Sequence, residues 1–143
     1  MENNINIQPK EIAAELLNLL EEKNATCAIY KDGAVLTHKD RGVSPIIDFW
    51  SVGDLENAIV CDKVIGKASA MFLVSGGAKF VHGKIMSQLA LDLLASNNVD
   101  CSYTKLVPKI QNRQGDGLCP MESAVANIED LNEGIELILK KVK

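Results

Sequence analysis

The sequence predicts one α/β domain with three layers, in which helices cover both faces of a mixed sheet of four to five strands. The length of 143 residues suits a single domain, and 47% hydrophobic against 24% charged residues supply a sizeable core. After Gly53, helical patterns alternate with short apolar strands, which favours parallel strands joined by right-handed crossovers. We therefore treat residues 1–143 as one domain and expect the polar residues 1–8 to be flexible.

The first part of the chain predicts a helix followed by a β-hairpin. Apolar residues recur at three- and four-residue spacing through residues 9–23, which indicates an amphipathic helix. Residues 26–30 and 34–37 are short apolar runs joined by Asp32 and Gly33. This dipeptide suits a tight turn because both positions tolerate positive φ, so we expect the two runs to pair as antiparallel strands.

Capping patterns predict two further helix starts. Ser44 followed by Pro45 is typical of an N-cap with proline at the first helical position, and this short helix is expected to end near Gly53. Asp62 suits an N-cap for a second helix over residues 62–74, whose apolar residues leave little polar face. The remaining predicted elements are two strands, at residues 79–85 and 99–106, and three helices, at residues 87–96, 120–127 and 131–142.

Charge and cysteine content limit the partners and the compartment. The net charge is -4 and no long run of Lys or Arg occurs, so binding of nucleic acid through phosphate neutralisation is not expected. The N-terminus lacks the pattern of a signal peptide, and residues 68–74, the longest apolar-leaning segment, are far too few to span a membrane. We predict a cytoplasmic protein with no membrane association, in which the four cysteines are free thiols.

Three stretches of the chain carry a family resemblance. They read DKVIGKA at residues 62–68, LVP at residues 106–108 and NRQGDGLCPME at residues 112–122. Together they resemble a small prokaryotic family, a domain of unknown function that is placed in the cytidine deaminase-like superfamily. The resemblance implies a cytidine deaminase-like layout with an extra N-terminal helix, and the predicted order of helix, hairpin and alternating elements agrees with it.

Zinc-dependent deamination is the activity that this resemblance would imply, and the residues argue against it. The reaction needs a His or Cys ligand and a Glu at one helix start, with two Cys ligands spaced CxxC at the next. The chain offers Cys61 and Lys63 at the first position and no cysteine in residues 86–89 at the second. Catalytic zinc requires three protein ligands, so we predict no deaminase activity, no metal and no cofactor.

Cys119 is the candidate catalytic residue. Pro120 suits the first position of a helix and Glu122 the third, so Cys119 is expected at the N-cap. Free backbone N–H groups and the helix dipole favour a thiolate nucleophile or redox thiol there. The negative charge of Glu122 opposes the thiolate, and no histidine lies near in sequence. A small N-cap residue without chemistry is therefore the alternative interpretation.

The loop that precedes this helix is a candidate anion site. Arg113 in a glycine-bearing loop can hold a phosphate or carboxylate against the helix N-terminus. We assign Asn112, Arg113, Asp116, Gly117 and the helical Glu122 to ligand binding. An ordinary solvated loop with turn glycines is the alternative.

A second group of candidates surrounds the helix start predicted at Asp62. The deaminase-like layout implies that this start lines a ligand pocket. Asp62 would bind a ribose hydroxyl or a base amine, and Lys63 a phosphate, with Lys67 nearby. The alternative is an N-cap aspartate followed by two solvated lysines.

These observations favour a small-molecule-binding domain, with a nucleotide-like or otherwise phosphorylated ligand at the carboxyl edge of the sheet. We expect the pocket to be shared by the Asp62 helix start and residues 113–119. One alternative is an enzyme that uses Cys119 as its nucleophile or redox thiol. The other is a non-catalytic structural or interaction protein, which could be a homodimer.

Overall fold

A computed structural model describes residues 8–112 and 114–142 of the chain. Residues 1–7, which make up most of the segment expected to be flexible, lie outside this part. The predicted ligand residue Arg113 also lies outside it. The described part forms six helices and five strands, in the order α1 (Pro9–Lys23), β1 (Cys27–Lys31), β2 (Ala34–His38), α2 (Ser44–Ser51), β3 (Ile59–Ile65), α3 (Lys67–Gly76), β4 (Phe80–Ser87), α4 (Gln88–Ser96), β5 (Asp100–Val107), α5 (Pro120–Val125) and α6 (Leu131–Lys141).

The strands form one mixed sheet, with the order β2-β1-β3-β4-β5. β1 pairs antiparallel with both β2 and β3, whereas β3, β4 and β5 run parallel. Each parallel step crosses over through one helix, α3 or α4. A mixed sheet within an α/β domain is therefore confirmed, with five strands.

Helices cover both faces of the sheet, and each face has its own core. On one face α1 packs through Leu16 and Leu20 against Ile59, Cys61 and Phe80 of β3 and β4. The other face is larger and includes residues from α2 to α6, with α3 buried at its centre. The layered architecture thus follows from one amphipathic helix on one side and an almost wholly apolar helix on the other.

The chain up to the end of α2 matches its prediction closely. α1 has the predicted bounds, and the two predicted hairpin strands pair with each other. The turn between them places Asp32 at φ 51° and Gly33 at φ 82°, the positive values expected of a tight hairpin turn. α2 begins at Ser44 and ends at Ser51, close to the predicted end near Gly53.

The prediction that a helix begins at Asp62 is wrong. Asp62 lies inside β3, and the following helix begins at Lys67 with Gly66 as its N-cap. β3 has strands on both sides, and its first four residues are buried. A strand covered on both faces shows no alternation of apolar and polar residues, so its pattern merges with that of the apolar helix that follows.

The described helices are short. None of them is long and apolar enough to cross a membrane, which agrees with the short apolar runs of the sequence.

Candidate functional site

A cavity of about 800 Å³ opens where β3 ends. Its lining comes from segments that are far apart in sequence but meet at the carboxyl edge of the parallel strands, where open α/β sheets bind ligands. Asp62 and Cys119 both line it, so the two regions that the sequence analysis placed together do meet. The lining segments are residues 41–44 at the start of α2, residues 62–64, 66, 68 and 69 around the start of α3, residues 110–112 and 114, and residues 119–122 at the start of α5, with Thr26 and Val142 beside them.

Glu122 occupies the inner wall of the cavity and is only 3% exposed. Its carboxylate accepts a hydrogen bond from the backbone N–H of Lys67 at 2.8 Å and another from that of Ile110 at 2.7 Å. It also accepts one from the hydroxyl of Ser87. That hydroxyl in turn accepts from the N–H of Ala90 and caps α4.

The bonds of Glu122 therefore join three parts of the fold. Lys67 is the first residue of α3, Ser87 is the N-cap of α4, and Ile110 lies beyond the end of β5. A negative charge between the positive ends of two helices is stabilised by both dipoles. Glu122 lines the cavity as predicted for a ligand residue, but its oxygens are already bonded within the protein.

Asp62 also lines the cavity, and it lacks such a set of donors. Within the sheet it faces Cys27 of β1 and Gly83 of β4, and it is 4% exposed. Its Oδ1 accepts from the N–H of Val64 at 3.2 Å, whereas Oδ2 is buried without a partner among the described residues. Burial raises the pKa of Asp62 to about 7, against the lowering effect of the hydrogen bond from the N–H of Val64.

The starts of α2 and α3 line the cavity, and Glu122 accepts from only the first N–H of α3, that of Lys67. The N-caps of α2 and α3 are Val43 and Gly66, neither provides a side-chain cap, and the first turns contain no acidic residue. The N–H groups of Ala68 and Ser69 have no acceptor within the described part of the chain. By contrast, side chains cap α4 and α6. Free N–H groups and the positive end of a dipole form an anion-binding environment.

The two predicted lysines differ in their surroundings. The Lys67 side chain is buried, and its Nζ donates to the carbonyl oxygens of Ala126 and Ile128, each at 3.0 Å. It therefore ties α3 to the end of α5. Lys63 is half-buried and lines the cavity, and its charge helps to lower the pKa of Glu21 on α1, after the larger effect of Lys84.

The loop before α5 is a small hairpin closed by a bridge between Gln111 and Leu118. Asn112 organises its tip, since Oδ1 accepts from the N–H groups of Gly115 and Asp116, and Nδ2 donates to Asp116 Oδ1 at 3.0 Å. Of the predicted anion-binding residues in this loop, Asn112 lines the cavity, whereas Asp116 and Gly117 lie outside the lining. Arg113 is outside the described residues.

Cys119 is the N-cap of α5, as predicted, and is half-buried at the cavity wall. Its N–H donates to the carbonyl oxygen of Ile110 at 2.8 Å. The described residues that line the cavity include no histidine. A histidine base for the thiol is therefore missing from the described wall, and the reactivity of Cys119 stays a prediction.

The zinc-ligand positions deduced from the sequence need one correction. Cys61 does not stand at a helix start, because it lies inside β3 and packs under α1. The two helix starts that would carry the zinc ligands are those of α3, at Gly66 and Lys67, and of α4, at Ser87. None of these residues is a cysteine, histidine or glutamate, and the carboxylate between the two starts comes from α5.

A second group of possible metal ligands lies outside the cavity, at His38, Asp40 and Asp48. His38 Nε2 is 2.7 Å from Asp48 Oδ2, and its Nδ1 accepts from the N–H of Asp40 at 3.2 Å. A ring that accepts at Nδ1 carries its proton on Nε2, where no lone pair is left for a metal. The geometry fits a hydrogen-bonded cluster between the end of the hairpin and α2.

Comparison with known proteins identifies the family. The model of a domain of unknown function, DUF1893, matches residues 15–142. The chain belongs to the DUF1893 family. The crystal structure of a DUF1893 family protein from Thermotoga maritima has a TM-score of 0.86 and 27% sequence identity, and the alignment covers 99% of this chain and 97% of that one. No curated protein matches the sequence. All lining segments of the cavity lie within the DUF1893 match.

Replacing Glu122 with glutamine should destabilise this DUF1893 protein by about 2–4 kcal/mol. The amide offers one acceptor oxygen in place of two, so at least one buried N–H loses its partner, and hydrogen bonds to a charged group are worth about 1.5–3 kcal/mol each. Urea unfolding of Glu122→Gln measures the loss. Glu136→Gln, on the exposed side of α6, is the control, and equal stability of the two variants would contradict this role.

Replacing Asp62 with asparagine should change how stability depends on pH. The folded pKa of about 7 exceeds the ordinary value of 3.8, so the folded state binds the proton more tightly than the unfolded state. Wild-type stability therefore has this contribution in full below pH 4, loses it as pH rises to about 7, and is constant above. A rise of this size corresponds to roughly 4 kcal/mol.

Urea unfolding between pH 4 and pH 8 tests the change at Asp62. Asp62→Asn should be more stable than wild type at pH 8 and should lose this advantage towards pH 4. Asp100→Asn, at the exposed start of β5, provides the matched control. If Asp62→Asn followed the wild-type pH dependence, the buried carboxyl would not be the group that titrates.

Proposed function

We propose that this DUF1893 protein is a small-molecule-binding domain whose ligand, nucleotide-like or otherwise phosphorylated, sits in the cavity at the end of β3. One observation carries the proposal: the start of α2 without a capping side chain, the unpartnered N–H groups of Ala68 and Ser69 in α3, and a buried carboxyl oxygen without a partner line the same cavity. Each group would gain a partner from a ligand that combines an anion with a hydrogen-bond donor.

The anionic end of the ligand would lie beside the starts of α2 and α3. Ser44 and Gly42 bring the first turn of α2 to the cavity, and Arg41 adds a positive charge at its exposed rim. Ala68 and Ser69 contribute the unpartnered N–H groups of α3. Backbone donors, helix dipoles and a guanidinium are the groups that recognise phosphate and carboxylate.

The size of the cavity agrees with a ligand of this kind. Small-molecule sites typically measure about 300–1,000 Å³, and this cavity has about 800 Å³. Apolar residues such as Ile110 and Met121 make up part of its wall, which would suit the flat body of a nucleotide or the carbon skeleton of a sugar.

We further propose a cytidine deaminase-like layout without zinc-dependent deamination. The order of elements supports the layout, since α1 and the β1–β2 hairpin precede alternating strands and helices. The residues at the starts of α3 and α4 support the lack of deamination, because they supply none of the cysteine, histidine or glutamate that zinc deaminases use. Glu122 lies between these starts with both oxygens hydrogen-bonded.

An enzyme that uses Cys119 remains the second candidate, because this thiol lines the same cavity at a helix N-cap. Alkylation by iodoacetamide distinguishes the two proposals. Labelling of Cys119 no faster than that of a model peptide would exclude a reactive thiol. The homodimer and the cytoplasmic location stay predictions.

A thermal-shift screen of nucleotides and sugar phosphates tests binding in the cavity. A ligand at a hundredfold excess over its Kd stabilises the folded state by about 2.7 kcal/mol. The variant Ser44→Asp should abolish the shift, because its carboxylate would occupy the anion site at the start of α2. Asn132→Asp adds the same charge in the first turn of α6, away from the cavity, and should respond like wild type.

Two results would contradict the proposed function. One is the absence of a shift with every phosphorylated compound. The other is a shift that Ser44→Asp retains in full, because the ligand would then bind elsewhere on the protein.

A further inference from the structure

We propose that the ligand also carries a protonated amine, which pairs with Asp62 at the floor of the cavity. This inference rests on the proposed function and narrows its ligand class to aminated anions, molecules with an ammonium group at one end and a phosphate or similar anion at the other.

One carboxyl oxygen of Asp62 has no hydrogen-bond partner among the described residues. Buried carboxyl oxygens in folded proteins are paired, because an isolated charge away from water is strongly unfavourable. Asp62 is 4% exposed, and its Oδ2 is the one buried side-chain nitrogen or oxygen atom of the described residues without a hydrogen-bond partner. Because Asp62 lines the cavity, a ligand can supply the missing donor.

No cationic side chain of the described residues pairs with Asp62. Lys67 is bound to two carbonyl oxygens at the end of α5, and Lys63 is near enough to α1 to affect Glu21. Arg41 is exposed at the rim. None of the ion pairs among the described residues includes Asp62. Among the described residues, therefore, no side-chain cation balances this carboxylate, and a ligand could supply the positive charge.

The charges at the cavity favour an amine over a hydroxyl as the ligand group that donates to Asp62. Glu122, a second buried carboxyl group, lines the same cavity, so the floor favours positive charge. The oxygens of Glu122 already accept three hydrogen bonds, which leaves Asp62 as the available acceptor. A hydroxyl would satisfy Oδ2 without balancing its charge, whereas an ammonium does both.

The groups that would bind the two ends of the ligand also differ in their depth in the cavity. Asp62, Ala68 and Ser69 are buried, whereas Ser44 is half-buried and Arg41 is exposed. The ammonium would therefore lie at the buried end, and the anion would extend from the start of α3 to the start of α2 near the rim. This polarity distinguishes the site from a simple phosphate site, which would bind the phosphate ester of any alcohol.

Matched pairs of sugar phosphates and small phosphate esters that differ only in an amine or a hydroxyl test this inference. Glucosamine 6-phosphate against glucose 6-phosphate is one pair, and phosphoethanolamine against ethylene glycol monophosphate is another. Calorimetric titration of wild type should give at least tenfold tighter binding for the amine of the pair that fits, because a charged hydrogen bond contributes about 1.5–3 kcal/mol.

Asp62→Asn should bind both members of that pair within about twofold of each other, because the tenfold preference is assigned to the charge of this carboxylate. Asp100→Asn should keep the wild-type preference. Equal binding of amine and hydroxyl by wild type, or a preference that survives in Asp62→Asn, would overturn the inference and leave the proposed function intact. Failure of every phosphorylated compound to bind would overturn both.

Discussion

The carboxylate of Glu122 is the contact on which the architecture of this edge depends. It accepts hydrogen bonds from the start of α3, from the N-cap of α4 and from the segment after β5. The first two groups lie on separate crossovers of the sheet and the third follows its last strand, so a single buried charge fixes how these three segments meet. The side chain of Lys67 adds a second tie, from α3 to the end of α5. The wall of the cavity is therefore held by polar contacts that are complete within the protein.

Asp62 contrasts with Glu122 at the same cavity. Both carboxyl groups are buried, but Glu122 is surrounded by donors and Asp62 retains an oxygen without one. An unpaired buried group weakens folding, and such groups are concentrated where a protein binds or reacts. The same cavity is lined by the start of α2, which has no capping side chain, and by Ala68 and Ser69 of α3, whose N–H groups have no acceptor among the described residues. The cavity is thus lined by unpaired groups of both kinds, which supports the proposed binding site.

Local patterns predicted α1, the hairpin at Asp32 and Gly33, and the start of α2, because periodicity and turn chemistry operate over a few residues. β3 was missed, since a strand buried on both faces lacks alternation and Asp62 imitates an N-cap. The role of Glu122 had no local signal either. Its partners Lys67 and Ser87 are 55 and 35 residues away, and only the folded sheet brings them together. The meeting of Asp62 with Cys119 was anticipated through the fold resemblance.

The central claim is that the starts of α2 and α3 and the carboxyl group of Asp62 form one ligand site. An ¹⁵N-resolved NMR titration with glucosamine 6-phosphate tests it residue by residue. Concerted shifts of the Ser44, Ala68 and Ser69 amides, together with the Asp62 side-chain carboxyl followed in ¹³C spectra, are the result that this account predicts. Shifts confined to lysines outside the cavity, or shifts of the helix starts without Asp62, would contradict it.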